Sequence, residues 1–247
     1  MIKKYKVGVL GCAHIAIRSL LPAFSSSERF ELTGIASRDF HKAQLVAAPY
    51  HCVAYGSYEE LLDNEDIELV YIPLPTGLHY EWIHKALEKG KHVMSEKSLS
   101  CTYDEVRELV ELACDKHLLL IENFQFRFHS QHVWVKELLE SGELGQMKRV
   151  IWIITDWYRS QSYYDQGGWR ATWDGEGGGV LLNQNPHNLD LWQWICGMPK
   201  RVKSEVYYGK HRNIEVEDDV TAFVEYENGA VGCYITTIGD APGTNRL

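Results

Sequence analysis

The sequence predicts an α/β protein: a doubly wound parallel sheet over residues 1–121, then an α+β region over 122–247 that ends in antiparallel strands. Three observations carry that prediction. Short apolar runs alternate with helix-length amphipathic stretches through the first half, the rhythm of βαβ units. A glycine turn, Gly11-Cys12-Ala13-His14-Ile15-Ala16, directly follows the first apolar run. Late in the chain, two β-rich runs flank Asn228-Gly229, a dipeptide suited to the tight turn of a hairpin.

Residues 7–10 are apolar, are bounded by Gly11, and read as a buried strand. Helical spacing follows over 14–24, a strand over 30–36, a helix over 38–48 and a short helix over 58–62. A strand over 67–72 leads to an amphipathic helix over 78–88. Lys89-Gly90 closes it, glycine as the stop and lysine at the negative end of the dipole. Residues 92–94 and 118–121 are further strands around a helix over 103–116. After about residue 122 the rhythm changes. A helix over 132–140 ends at Ser141-Gly142, and a β-branched and aromatic run over 150–157 makes a long strand. A Gly- and aromatic-rich loop over 159–179 precedes an apolar helix over 180–195, closed by Gly197 and Pro199. Strands over 202–208, 220–227 and 230–237 follow.

Composition narrows the function classes. Hydrophobic residues make up 45% and charged residues 24% of the 247, as in soluble globular proteins large enough for two domains. The formal charge of -9 argues against nucleic acid as the main partner, because phosphate backbones need a basic surface. No apolar run reaches the about 18 residues of a membrane span. The basic start at residues 1–6 runs into a strand rather than a signal-peptide core. Six scattered cysteines, without C-x-x-C or zinc spacing, suggest neither a disulfide framework nor a metal site. A reducing cytoplasm fits.

The strand–turn–helix at the N-terminus is the setting of a dinucleotide fingerprint, here G-x-A-x-x-A. Gly11 supplies the tight turn, Ala13 stands where a second glycine normally meets the pyrophosphate, and Ala16 lets helix and strand approach. With His14 and Ile15 these make the candidate cofactor turn; an empty strand–helix turn is the plain alternative. The second strand ends at Ser37-Arg38, where an NAD enzyme usually carries Asp or Glu for the ribose. A hydroxyl and a guanidinium suit a 2′-phosphate instead, and Lys42 one turn later adds charge. NADP is therefore expected ahead of NAD, unless Arg38 is merely a solvated first-turn residue.

Lys97 falls just past the strand at 92–94, at the carboxyl edge where doubly wound sheets bind ligands. There an amine can exchange a proton with a substrate hydroxyl; an ordinary loop lysine is the plain alternative. Asn183, His187 and Asp190 stand at i, i+4 and i+7, one helical face. An imidazole there can take the hydroxyl proton as hydride leaves, with Asp190 orienting it; a hydrogen-bonded core histidine is the alternative.

Three separated motifs carry a family resemblance: residues 71–79 (YIPLPTGLH), 90–97 (GKHVMSEK) and 177–183 (GGGVLLN) through His187. In this order and spacing, over essentially the whole chain, they resemble the glucose–fructose oxidoreductase / inositol dehydrogenase family. The resemblance implies a Rossmann domain, then an α+β domain with an open, mostly antiparallel sheet through which copies associate. It implies that Lys97 and His187 are catalytic, and that Asn183 stands at a position that is aspartate in inositol dehydrogenases. Pro73, Leu74, His79 and Glu96 match cofactor-lining positions. Trp169-Arg170 resembles a pair that reaches cofactor or substrate, and Tyr163 and Tyr164 are either sugar-facing or packing residues. The implied activity is hydride transfer between a nicotinamide and a hydroxyl carbon of a sugar or cyclitol. A cofactor-binding regulator and a nicotinamide-dependent glycosidase are the alternatives.

Three features depart from the family pattern. Ser98 stands where proline usually follows the lysine, which is expected to loosen the backbone there. Ala13 replaces a glycine. The chain ends where another strand is expected, so the second sheet is expected to be short, with an unpaired apolar edge.

Overall fold

The computed structural model describes residues 3–155, 157–240 and the main chain of 245–246. The first two residues of the basic start, Asp156 in the long strand expected over 150–157, and most of the chain end lie outside them. The chain divides into two units, Met1–Asn123 and Phe124–Leu247.

In the first unit β1 (Tyr5–Leu10), β2 (Phe30–Ala36), β3 (Val53–Tyr55), β4 (Leu69–Ile72), β5 (His92–Ser95) and β6 (Leu120–Glu122) form one parallel sheet, ordered β3-β2-β1-β4-β5-β6. β3 is not predicted, because three partly exposed residues give no readable period. Both faces of the sheet are covered, which is why its strands read as unbroken apolar runs. Val7, Val9, Ile35 and Tyr71 pack with Leu21, Phe24 and Ala47 on one face. Leu10, Val70, Ile72 and Val93 pack with Leu61, Ile83, Leu87 and Leu109 on the other. Helices Phe40–Ala47, Tyr58–Leu62 and Tyr103–Asp115 begin at Asp39, Ser57 and Thr102, each accepting a main-chain N–H three residues on.

In the second unit β7 (Arg149–Ile154), β8 (Arg201–Tyr207), β9 (Asp219–Glu225), β10 (Val231–Thr237) and β11 (Asn245–Arg246) form a sheet ordered β11-β7-β10-β9-β8. It is mixed: β7 and β10 run parallel, the other pairs antiparallel. The hairpin turns at Asn228-Gly229, with Gly229 at φ 80. One face packs Trp152, Ile154, Val224 and Tyr234 against Leu191, Trp192 and Ile195 of helix Pro186–Cys196. The other face shows Ile151 and Phe223, aligned in one register row through Cys233. β11 pairs with β7, and the long edge strand is β8, where exposed Val202, Val206 and Tyr207 stand among the charged Arg201, Lys203 and Glu205, so the edge is mixed rather than purely apolar.

The apolar helix expected over 180–195 is two pieces. A π-helical turn, Val180–Gln184, closes with Asn185 N–H donating to Val180 O at 2.8 Å, and helix Pro186–Cys196 starts afresh. Pro186 has no N–H to continue the first ladder but suits the first position of a new one. The loop before it holds two short helices, Gln161–Asp165 and Trp173–Glu176.

Candidate active site

At the carboxyl edge of the first sheet, Gly11 turns the chain after β1 with φ 112, a conformation that favours glycine. A Cβ there would sit 2.9 Å from the Leu74 side chain, so the loops after β1 and β4 meet at this point. Ala13 is not among the residues at positive φ, so alanine is accommodated where a second glycine is usual. His14 is exposed, Ile15 is half-buried, and Ala16 is buried against the sheet.

Ser37 is buried at the end of β2, with its hydroxyl accepting Asp39 N–H at 3.2 Å. Arg38 and Lys42 are exposed beside it. Burial pushes the Tyr58 phenol and the Cys12 thiol up, and the nearby Arg38 and Lys42 charges oppose it, so guanidinium and ammonium gather near the Gly11 turn. Asp39, the nearest acid in sequence, accepts Lys42 N–H at 3.1 Å and caps the following helix. Sequence reasoning missed Tyr58, which no local pattern links to Arg38.

Pro73 is buried and Leu74 half-buried after β4. After β5, Glu96 is held by its two neighbours: Oε1 accepts the Tyr71 hydroxyl at 2.7 Å and Asn123 Nδ2 at 2.7 Å. Burial, then the Glu96 carboxylate, pushes the Tyr71 phenol up, so it remains a donor. Lys97 is half-buried, and the peptide that joins it to Ser98 is cis. Ser98 is buried rather than loose, since its carbonyl lies 2.6 Å from His79 Nδ1.

His79 needs a correction. It is fully buried, with Nε2 2.7 Å from Leu74 O, so both nitrogens face main-chain carbonyls and no side-chain surface remains to line a cofactor. It ties the loop after β4 to the loop carrying Lys97. Burial pushes its pKa down from 6.5, outweighing the two carbonyls and Glu96, which favour the cation. The unfolded chain therefore binds the extra proton more readily. Stability from a neutral His79 is fully present above about pH 6.5 and is lost as pH falls through the lowered folded value. Urea unfolding at pH 7 and pH 5 should show this loss, and His79→Asn should reduce it; an unchanged pH dependence in that variant would refute the assignment.

In the second unit His187 is buried in an aromatic surround. Phe126 stacks on it at 4.9 Å, Phe124 meets it edge-on at 5.8 Å, and Trp157 lies at 6.4 Å. Phe124 and Phe126 went unread because they lie some 60 residues earlier in sequence. Asn183 is buried on the π-helical turn and accepts Gln184 Nε2 at 2.9 Å. The helical face expected for Asn183, His187 and Asp190 is thus broken at Asn185. Asp190 does not orient the imidazole: its Oδ2 accepts Arg127 Nε at 2.7 Å and its Oδ1 accepts Arg127 Nη2, a two-pronged pair.

Glu217, also unread, clamps the start of the His187 segment. Its carboxylate accepts Gly179 N–H and Leu181 N–H, each at 2.9 Å, and its carbonyl accepts Val180 N–H at 2.8 Å. Trp169 is exposed and Arg170 half-buried on the preceding loop, where Glu176 is buried and accepts Ala171 N–H at 3.1 Å. Tyr164 packs inside, while Tyr163 stays half-buried.

A family model described as "Oxidoreductase family, NAD-binding Rossmann fold" matches residues 5–124, and "GFO/IDH/MocA C-terminal domain" matches residues 132–247. The dTDP-3,4-didehydro-2,6-dideoxy-alpha-D-glucose 3-reductase of Saccharopolyspora spinosa is 47% identical over 148 residues, 60% of this chain and 45% of the relative. D-xylose 1-dehydrogenase (NADP(+)) 2 of Haloferax volcanii is 34% identical over 224 residues, 90% of this chain and 66% of the relative. The crystal structure of KijD10, a 3-ketoreductase from Actinomadura kijaniata in complex with NADP and TDP-benzene, superposes with a TM-score of 0.84 at 30% identity, covering 97% of this chain and 71% of that one. The chain spans about half the length of the first curated relatives it matches.

Proposed function

Because the chain belongs to the GFO/IDH/MocA oxidoreductase family, we propose that it moves a hydride between NADP and a hydroxyl carbon of a sugar or cyclitol. One observation carries the reading. Gly11, Leu74 and Glu96-Lys97 follow three adjacent strands, β1, β4 and β5, at the carboxyl edge where the strand order reverses.

The residues present fit the cofactor. Gly11 makes the tight turn that brings the start of the next helix to a pyrophosphate, with Ala13, His14 and Ile15 completing the turn. Ser37, Arg38 and Lys42 offer the donor set of a 2′-phosphate, with the Tyr58 phenol near the guanidinium. When bound, NADP would supply or accept the hydride. Lys97 and His187 handle the hydroxyl proton, Asn183 positions the hydroxyl, and the Arg127–Asp190 pair steadies the helix bearing His187. Trp169 and Arg170 are assigned by resemblance to cofactor or substrate.

The relatives act on a dTDP-linked sugar and on D-xylose, so a sugar carbon is the shared chemistry. Ile151 and Phe223 on the exposed sheet face support association of copies through that face. Among the described residues no helix is long and apolar enough to cross a membrane. A reducing cytoplasm remains our reading of the scattered cysteines.

An absorbance screen at 340 nm over sugars, ketosugars and cyclitols, with NADP(H) and NAD(H), tests the proposal. Cofactor binding without any redox change would instead favour a regulator. Losing a charge-assisted phosphate contact costs about 1.5–3 kcal/mol. Arg38→Ala is therefore expected to weaken NADPH binding about 10- to 100-fold while leaving NADH within about twofold. Equal weakening of both would remove the 2′-phosphate assignment.

A further inference from the structure

Strand β8 (Arg201–Tyr207) closes one edge of the second sheet and pairs with β9 on one side only. Every residue of the strand is exposed. Its register with β9 runs unbroken from Arg201 opposite Glu225 to Tyr207 opposite Asp219, and it contains no proline. Among the described residues it therefore has neither the bulge, the proline nor the covering segment with which proteins usually blunt an edge. Its charges are the remaining guard, and their order decides what the edge admits.

Alternation divides the strand between the two faces of the sheet. Arg201, Lys203, Glu205 and Tyr207 stand on the open face, where Lys203 is in register with exposed Phe223. Val202, Ser204 and Val206 stand on the core face, opposite Val224, Ala222 and Val220. Val224 and Val220 are 9% and 2% exposed, whereas Val202 and Val206 keep 55% and 39%. The core layer thus stops one strand short of the edge and leaves two valines in the open. Lys203 and Glu205 are two residues apart on one face, yet among the described residues neither has an ion-pair partner, while Arg201 pairs inward with Glu225.

Turned about Ser204, the strand complements itself. In an antiparallel pair centred on that residue, Lys203 of each copy meets Glu205 of the other, Val202 meets Val206, and Arg201 meets Tyr207. Directly opposed residues share a face, so the charges meet on the open side and the valines cover one another on the core side. A parallel pair in register would set Lys203 against Lys203, and a one-residue slip would set valine against charge. We propose that β8 pairs antiparallel with β8 of a second copy of this chain, about a two-fold axis through Ser204, joining the two sheets edge to edge. This contact is separate from association through the face bearing Ile151, and it stands whether or not the chain transfers hydride.

Sedimentation velocity of the full chain at micromolar concentration tests the pairing in the wild type, Lys203→Glu, Glu205→Lys, the variant carrying both exchanges, and Ile151→Lys. Urea unfolding confirms that each variant folds. The wild type should sediment as a dimer or a multiple of one. Each single reversal sets two like-charge pairs across the axis and should weaken dimerisation about tenfold or more. The double exchange restores opposite charges and should restore the dimer. An equimolar mixture of the two single variants should do the same, because each glutamate again faces a lysine. Damage confined to one chain cannot be repaired by another, so the mixture separates pairing from misfolding. Ile151→Lys, three strands away on the open face, should leave the edge dimer intact. A monomeric wild type overturns the proposal and leaves the edge to a strand of another protein. Single reversals that keep the wild-type mass overturn it too, as does a mixture that stays monomeric. Loss of the dimer in Ile151→Lys, with both reversals without effect, assigns association to the open face and likewise overturns it.

Discussion

Lys97→Ala is expected to lower turnover at 340 nm by about 10²- to 10⁴-fold, the range for removing a positioned acid–base group. The same variant should bind NADPH within about twofold of the wild type, because methyl for ammonium removes no donor of the 2′-phosphate set. The split follows from where the residue sits. Glu96, immediately before it, is fixed by Tyr71 and Asn123, and Ser98, immediately after it, is braced by His79. The main chain around Lys97 is thus held by its neighbours on both sides, so the substitution is expected to remove chemistry more than structure. Near-normal turnover in Lys97→Ala would exclude this lysine from proton handling. A matching loss of NADPH affinity would make it a binding residue instead.

Gly179→Ala carries the second large effect, on folding. A Cβ at residue 179 would lie 1.8 Å from Glu217 O, an impossible approach to a backbone atom. Relief requires the two segments to part, yet Glu217 holds residues 179, 180 and 181 by three hydrogen bonds. Overpacking costs about 1–3 kcal/mol, and each lost bond adds roughly 1 kcal/mol. A destabilisation of about 3 kcal/mol or more is expected in urea unfolding. Since Glu217 anchors the segment that bears Asn183 and His187, surviving folded protein should also lose turnover while keeping NADPH binding. Wild-type stability in Gly179→Ala would mean that the clamp at Glu217 is not formed.

Much of this was legible along the chain. The Gly11 turn, the end of β2 at Ser37-Arg38, and Lys97 past β5 can be read because each depends on neighbours within a few residues. The hairpin at Asn228-Gly229 is legible for the same reason. The helix over 180–195 misled, because apolar spacing does not distinguish a continuous helix from a π-helical turn followed by a new start at Pro186. His79 misled in another way. A motif match places it beside the cofactor, whereas in the fold it is fully buried with both ring nitrogens facing main-chain carbonyls.

By itself, the order of residues determined the alternation of strands and helices, the doubly wound class of the first unit, and which residue types sit at the ends of its strands. Those properties arise from periodicity and turn chemistry, which act over short distances along the chain. Only the tertiary structure decided that Asp190 belongs to Arg127, 63 positions away, and that Glu217 holds Gly179 across 38. Such pairings depend on register and burial in three dimensions, where a charged group takes whichever partner the packed backbone brings within reach.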